Sequence, residues 1–184
     1  MLAIKKESAW KFVTSSSGGL GIEFFAAEGG VIYLQNPAGD TIPFKYGAAG
    51  AGLSFGFKLP KIGKLRIPIK GKSAAGVIAP AAFPNAGKIF ILDTFAGDEL
   101  TRSDITGVCE FLEIGGGLIA GGSGTAMLLG MNPVWLAAFL GGPLGMVAAN
   151  IGLQHSATAI LVMAGVTAGI QAGAGGAAFL GGLI

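Results

Sequence analysis

The sequence predicts an α+β protein in two parts: a β-rich N-terminal sandwich or partial barrel over residues 1–113, then glycine-rich hydrophobic helices over residues 114–184. Three observations carry that prediction. All 12 Lys/Arg and all 10 Asp/Glu residues lie at or before Glu113, so Ile114 to Ile184 carry no formal charge. The first part breaks into short apolar runs separated by Gly-Gly and Asn-Pro turn signals, the pattern of strands. In the second part small residues recur at four-residue intervals, which gathers them near one face of a helix.

Taken in order, the strand-like runs are Trp10 to Thr14, Leu20 to Ala26, Val31 to Gln35, Thr41 to Tyr46, Leu53 to Leu59, Lys64 to Ile69 and Lys88 to Phe95. Gly18-Gly19, Gly29-Gly30 and the cluster from Asn36 to Asp40 supply the expected turns. At Thr101 the texture changes: Asp104 three residues on forms a capping box ahead of Ile105, Val108 and Leu112, so a short helix is expected to lead into the uncharged region. That region divides at Asn132-Pro133 and at NIGLQHS (150–156) into apolar runs of roughly 114–131, 134–149 and 157–182. Their lengths bracket the ~20 residues a helix needs to cross a hydrocarbon core. Pro143 interrupts the middle run, which would suit a re-entrant hairpin.

The last run holds the most regular feature of the chain. Gly165, Gly169, Gly173, Ala177 and Gly181 recur in strict four-residue register, and shorter series occur at Gly117 and Gly121 and at Gly141 and Gly145. A glycine inside a helix in water costs about 0.8–1 kcal/mol relative to alanine. In lipid, small faces let helices approach closely and gain dispersion contacts, so these positions form the expected assembly face. The same register would serve packing within one chain as well as self-assembly.

Chemistry is harder to find. Gly71-Lys72-Ser73 ends like a phosphate loop, but Arg66 stands where that loop needs glycine. Gly50 to Gly56 has one residue too many for a dinucleotide fingerprint, and Gly121-Gly122-Ser123-Gly124-Thr125 lacks the final glycine of a nucleophile elbow. With one histidine (His155) and one cysteine (Cys109), the usual metal clusters and catalytic pairs are largely excluded. No enzymatic activity, metal or cofactor is expected. Glu110 and Glu113, at the edge of the uncharged region, could concentrate cations at a pore mouth. Between Lys45 and Lys88 every charge is positive, and within KLRIPIKGK the side chains of Lys64, Arg66, Lys70 and Lys72 share one strand face, suited to anionic lipid headgroups or to keeping an edge soluble. A formal net charge of +2 gives no argument for nucleic acid.

Two function classes fit: a membrane-inserting toxin, and a resident membrane protein whose β-rich part binds a surface ligand. With its strand-rich first half and the apolar runs MNPVWLAAFLGGPLGMVAAN and GVTAGIQAGAGGAAFLGG, the chain resembles small antibacterial effectors of the bacterial type VI secretion system that travel inside the Hcp ring. The resemblance implies pore formation in a recipient's inner membrane, a cognate immunity protein in the producer, and carriage in the Hcp lumen. It also implies export without a signal peptide, and MLAIKKESAW offers too short an apolar stretch before its lysines to be one. Lipid bilayer and further copies of the chain complete the expected partners.

Overall fold

A computed structural model describes residues 2–22, 25–50, 86–114, 123–140, 146–165 and 178–184. Eight antiparallel strands close into a barrel in the order β1-β2-β3-β8-β5-β6-β7-β4. The strands are β1 (Ile4–Ile22), β2 (Phe25–Gln35), β3 (Thr41–Gly50), β4 (Ala86–Leu92), β5 (Gly107–Ile114), β6 (Ser123–Met131), β7 (Ala159–Gly165) and β8 (Ala178–Leu183). Three short helices accompany them among the described residues: α1 (Arg102–Ile105), α2 (Pro133–Leu140) and α3 (Met146–His155).

This architecture corrects the expected sandwich followed by hydrophobic helices. Strands from both sides of Glu113 pair in the one barrel: β8 lies between β3 and β5, with Gly181 opposite Ala48 on one side and Cys109 on the other. Apolar runs expected as helices instead supply β6, β7 and β8, while the residues after the Thr101 capping box form a single turn before β5 begins. No helix among the described residues is long and apolar enough to cross a membrane, which leaves crossing by strands unaddressed.

The physical reason lies in two cores separated by the barrel wall. Inside, Ile32, Leu34, Phe44, Ile89, Met127, Leu129 and Leu161 fill the lumen. Eight strands enclose an interior just wide enough for such a filling. Outside, Phe90, Leu92, Ala126, Leu128, Ile160 and Val162 form a second buried layer with Leu153 of α3. Strands β6 and β7 therefore bury both faces, so their apolar residues run continuously and lose the period of two that marks a half-exposed strand.

Turn chemistry shows the same competition with tertiary structure. Asn36 to Asp40 turns as expected, with Asn36 Oδ1 accepting from Asp40 N at 2.8 Å and Gly39 at φ +99°. Gly18 and Gly19 do not turn: they pair with Gly29 and Glu28 inside a long β1–β2 ribbon. The expected strands Leu53 to Leu59 and Lys64 to Ile69 lie outside the described residues.

One end of the lumen is closed by the segment before β5. Leu100 and Ile105 join the interior core, and the Arg102 guanidinium sits 5.6 Å from the centre of the Phe44 ring. Trp10 Nε1 donates to the Leu100 carbonyl at 2.7 Å. Glu99 accepts from Ser8 Oγ and from the backbone N–H groups of Ala9 and Leu100. Burial pulls the Glu99 carboxyl up, but these hydrogen bonds and the nearby Lys6 ammonium outweigh it and leave the group below its ordinary value.

Candidate functional site

Beneath the helix pair, on the outer face of the barrel, lies the one charged-type side chain buried among the described residues. Glu110 follows Cys109 along β5, and strand alternation points the two to opposite faces: Cys109 into the lumen core, Glu110 to the outer layer. Its neighbours across the ladder are Leu128 of β6 and Leu180 of β8, both part of that layer. The residue is 3% exposed. A hydrogen bond from the Gln154 side chain of α3 meets the carboxyl, while Oε2 has no hydrogen-bond partner. Burial pushes the Glu110 pKa up to about 7, because an apolar setting disfavours the ionised form, and the Gln154 bond recovers only part of that. The Cys109 thiol, on the other side of the wall, is pushed up to about 12 by burial, which leaves it inert as a nucleophile.

Polar bonds at the ends of α2 and α3 tie the pair together. Asn132 caps α2, its Oδ1 accepting from Val134 N at 2.9 Å. Ser156 Oγ accepts from Asn132 N at 2.9 Å and donates to the Leu153 carbonyl at 2.7 Å, so the start of α2 and the end of α3 meet at one hydroxyl. Close approach between the helices depends on Gly152, where a Cβ would run into the Trp135 ring. The pair rests on the barrel through Leu136, Leu153 and Gln154. Away from the barrel it presents Val134 (69% exposed), Trp135 (40%) and Ile151 (53%) on a surface without a formal charge. His155 closes α3, its Nδ1 donating to the Ile151 carbonyl at 2.9 Å.

Of the sequence-derived site residues, Gly165, Gly181, Glu110 and Glu113 fall among the described residues. Gly165 ends β7 and Gly181 lies within β8, so these two are strand residues rather than points on a common helix face. Gly169, Gly173, Ala177, Gly117, Gly121, Gly141 and Gly145 lie outside the described residues, as do Lys64, Arg66, Lys70 and Lys72. Glu110 is under the helix pair, and Glu113 stands three residues along β5, opposite Thr125. Gln154 and Trp135 were not singled out from sequence. Gln154 falls in NIGLQHS, a polar stretch that reads as a break, yet α3 continues through it to His155.

Fold and site together define a class: a closed antiparallel β-barrel with a filled lumen, roofed on its apolar outer face by a charge-poor helix pair. Among the described residues no group of three or more His, Cys, Asp or Glu side chains could hold a metal ion. The chain is 43% identical over 183 residues to toxin protein Tse4 of Pseudomonas aeruginosa, a match covering 96% of this chain and 94% of that protein. It belongs to the family of that toxin protein. No family model and no solved structure matches it.

Proposed function

We propose that this protein is an antibacterial toxin that inserts into the inner membrane of a recipient bacterium and makes it permeable to ions, collapsing the membrane potential. The observation that carries this reading is the charge-free stretch from Ile114 to Ile184 in a member of a toxin family. Much of that stretch is buried in the barrel, and where α2 and α3 expose it, an uncharged apolar surface suits lipid better than water. The exposed Val134, Trp135 and Ile151 supply an apolar first contact, with an indole able to sit at the headgroup level. No bond-making chemistry is required, and the protein acts without cofactor or metal.

Among the described residues, Phe44, Met127, Leu129 and Leu161 fill the lumen of the barrel as folded. Permeation therefore needs a rearranged or multi-chain form in the membrane, and the glycine-spaced stretch from Gly165 to Gly181 is its assembly surface. Lys64, Arg66, Lys70 and Lys72 contact anionic headgroups, and Glu110 and Glu113 line the mouth of the open form. Delivery by the type VI secretion system within the Hcp ring, and a cognate immunity protein in the producer, complete the reading.

The test is membrane potential in bacteria expressing the chain with and without periplasmic targeting. Rapid depolarisation on targeting, lost with Gly169→Leu and Gly173→Leu, is the expected outcome. An unchanged potential with stable membrane residence would overturn it and favour a resident protein that binds a surface ligand.

A further inference from the structure

We propose that α2 and α3 form a hinged cover over the apolar outer face of the barrel, and that Glu110, buried beneath them, is its proton-sensitive latch. Protonated, Glu110 lets the cover seat; ionised, it lifts the cover and exposes Ala126, Leu128, Ile160 and Val162. The inference deepens the membrane reading above by assigning a release step, but the latch itself does not depend on a membrane.

Geometry carries the argument. A carboxyl group placed among Leu128, Leu180 and Leu153 sits where any apolar residue would pack better, and Oε2 is left without a hydrogen-bond partner. An ionised carboxylate has lone pairs to satisfy on both oxygens, and one bond from Gln154 does not meet that need. The neutral acid has less to lose by burial. Every element around it is short of compensating charge: β6, β8 and α2 contain no titratable side chain, and α3 contributes only His155 beside Gln154. Its own strand adds Cys109, which faces the lumen, and Glu113. Among the described side chains Leu136, Leu153 and Gln154 seat the cover on the barrel, while its helices are bound to each other at Ser156 and at Gly152. It can therefore move as one piece.

The sign follows from the two environments. Lifting the cover returns Glu110 to water, where a carboxyl titrates near 4.5, whereas the closed site holds it at about 7. The closed form thus binds the proton more tightly. Closure is unpenalised below the lower value, grows less favourable between the two, and levels off above the higher one. Acid seats the cover and neutral to alkaline pH loosens it.

The experiment uses thiol accessibility in the full chain. Cys109→Ala removes the native thiol, and Ala126→Cys places a reporter on the buried outer face of β6. Labelling rates are divided by those of an unstructured cysteine peptide at each pH. Between about pH 5.5 and about pH 8 the corrected rate should rise on the order of thirtyfold, a span fixed by the two titration values. Glu110→Gln should flatten the profile, and His155→Gln should leave the rise intact.

A flat profile in the parent reporter protein overturns the latch, whether or not Glu110→Gln folds. So does a rise that survives Glu110→Gln or disappears with His155→Gln. Vesicles of phosphatidylethanolamine and phosphatidylglycerol then separate the two proposals. A cover that opens with pH while the vesicles stay sealed leaves the latch standing and sinks the pore.

Discussion

Gly130 adopts φ +63° where β6 passes α1, and a Cβ there would collide with the Asp104 carbonyl oxygen and Thr158 Oγ1. The crowding has a purpose, because Thr158 Oγ1 donates to the Asp104 carbonyl at 2.6 Å and lies 3.2 Å from that of Leu129. One glycine thus lets β6, α1 and the start of β7 meet. Gly130→Ala should lower unfolding free energy by about 2–4 kcal/mol, read from urea denaturation, since it adds both a backbone clash and a disfavoured φ. Of the 34 glycines in the chain, nothing in the sequence marks this one. Its need is set by Asp104 and Thr158, residues 26 and 28 positions away in opposite directions. Glu110 shows the same limit. Its carboxyl and its place at the edge of the charged region are legible, but burial beneath α3 is a property of the neighbours that folding supplies.

At the scale of elements, the missed strands share one cause. Ala126 to Leu129 and Ala159 to Met163 are buried on both faces, one set against the lumen core and one against the outer layer. A doubly buried strand and a buried helix look alike in hydrophobicity, and the flanking small residues favour a helical pattern. The β-branched Ile160 and Val162 were the available counter-signal. By contrast, Asn132-Pro133 and the Thr101–Asp104 capping box act locally, and both mark real boundaries, the latter with Asp104 Oδ2 accepting from Thr101 N at 2.8 Å. The helix pair offers a direct test of how its parts fit. Gly152→Leu should displace the Trp135 ring and raise the iodide-quenchable fraction of tryptophan emission, because Trp10, hydrogen-bonded inside the barrel, stays shielded. Unchanged quenching would mean that the helices do not depend on this close approach.

Across the whole molecule, closure hinges on β8. It hydrogen-bonds to β3 and β5, and beyond it Ile184 and Lys45 exchange backbone bonds at 2.8 and 2.9 Å. Without β8 two strand edges would be left unpaired, a standing risk of aggregation. Leu183, 1% exposed in the lumen core, anchors it. Leu183→Ala should cost about 2–5 kcal/mol of stability, as expected for a buried leucine whose removal leaves a cavity. Thermal unfolding that remains unchanged would show that β8 contributes little to closing the barrel.

Composition and charge order by themselves show that every formal charge lies at or before Glu113, so that the rest of the chain is suited to burial in a core or to an apolar environment. Local turn and cap chemistry places several boundaries for the same kind of reason, since those bonds form within a few residues. What neither could supply was the partner of each apolar face. A run such as AILVMAG acquires its identity as strand β7 from pairing with β4 and β6, contacts 30 to 78 residues distant in register. Long-range pairing satisfies backbone groups and buries both faces at once, and in β6 and β7 this collective gain decides for strand over helix.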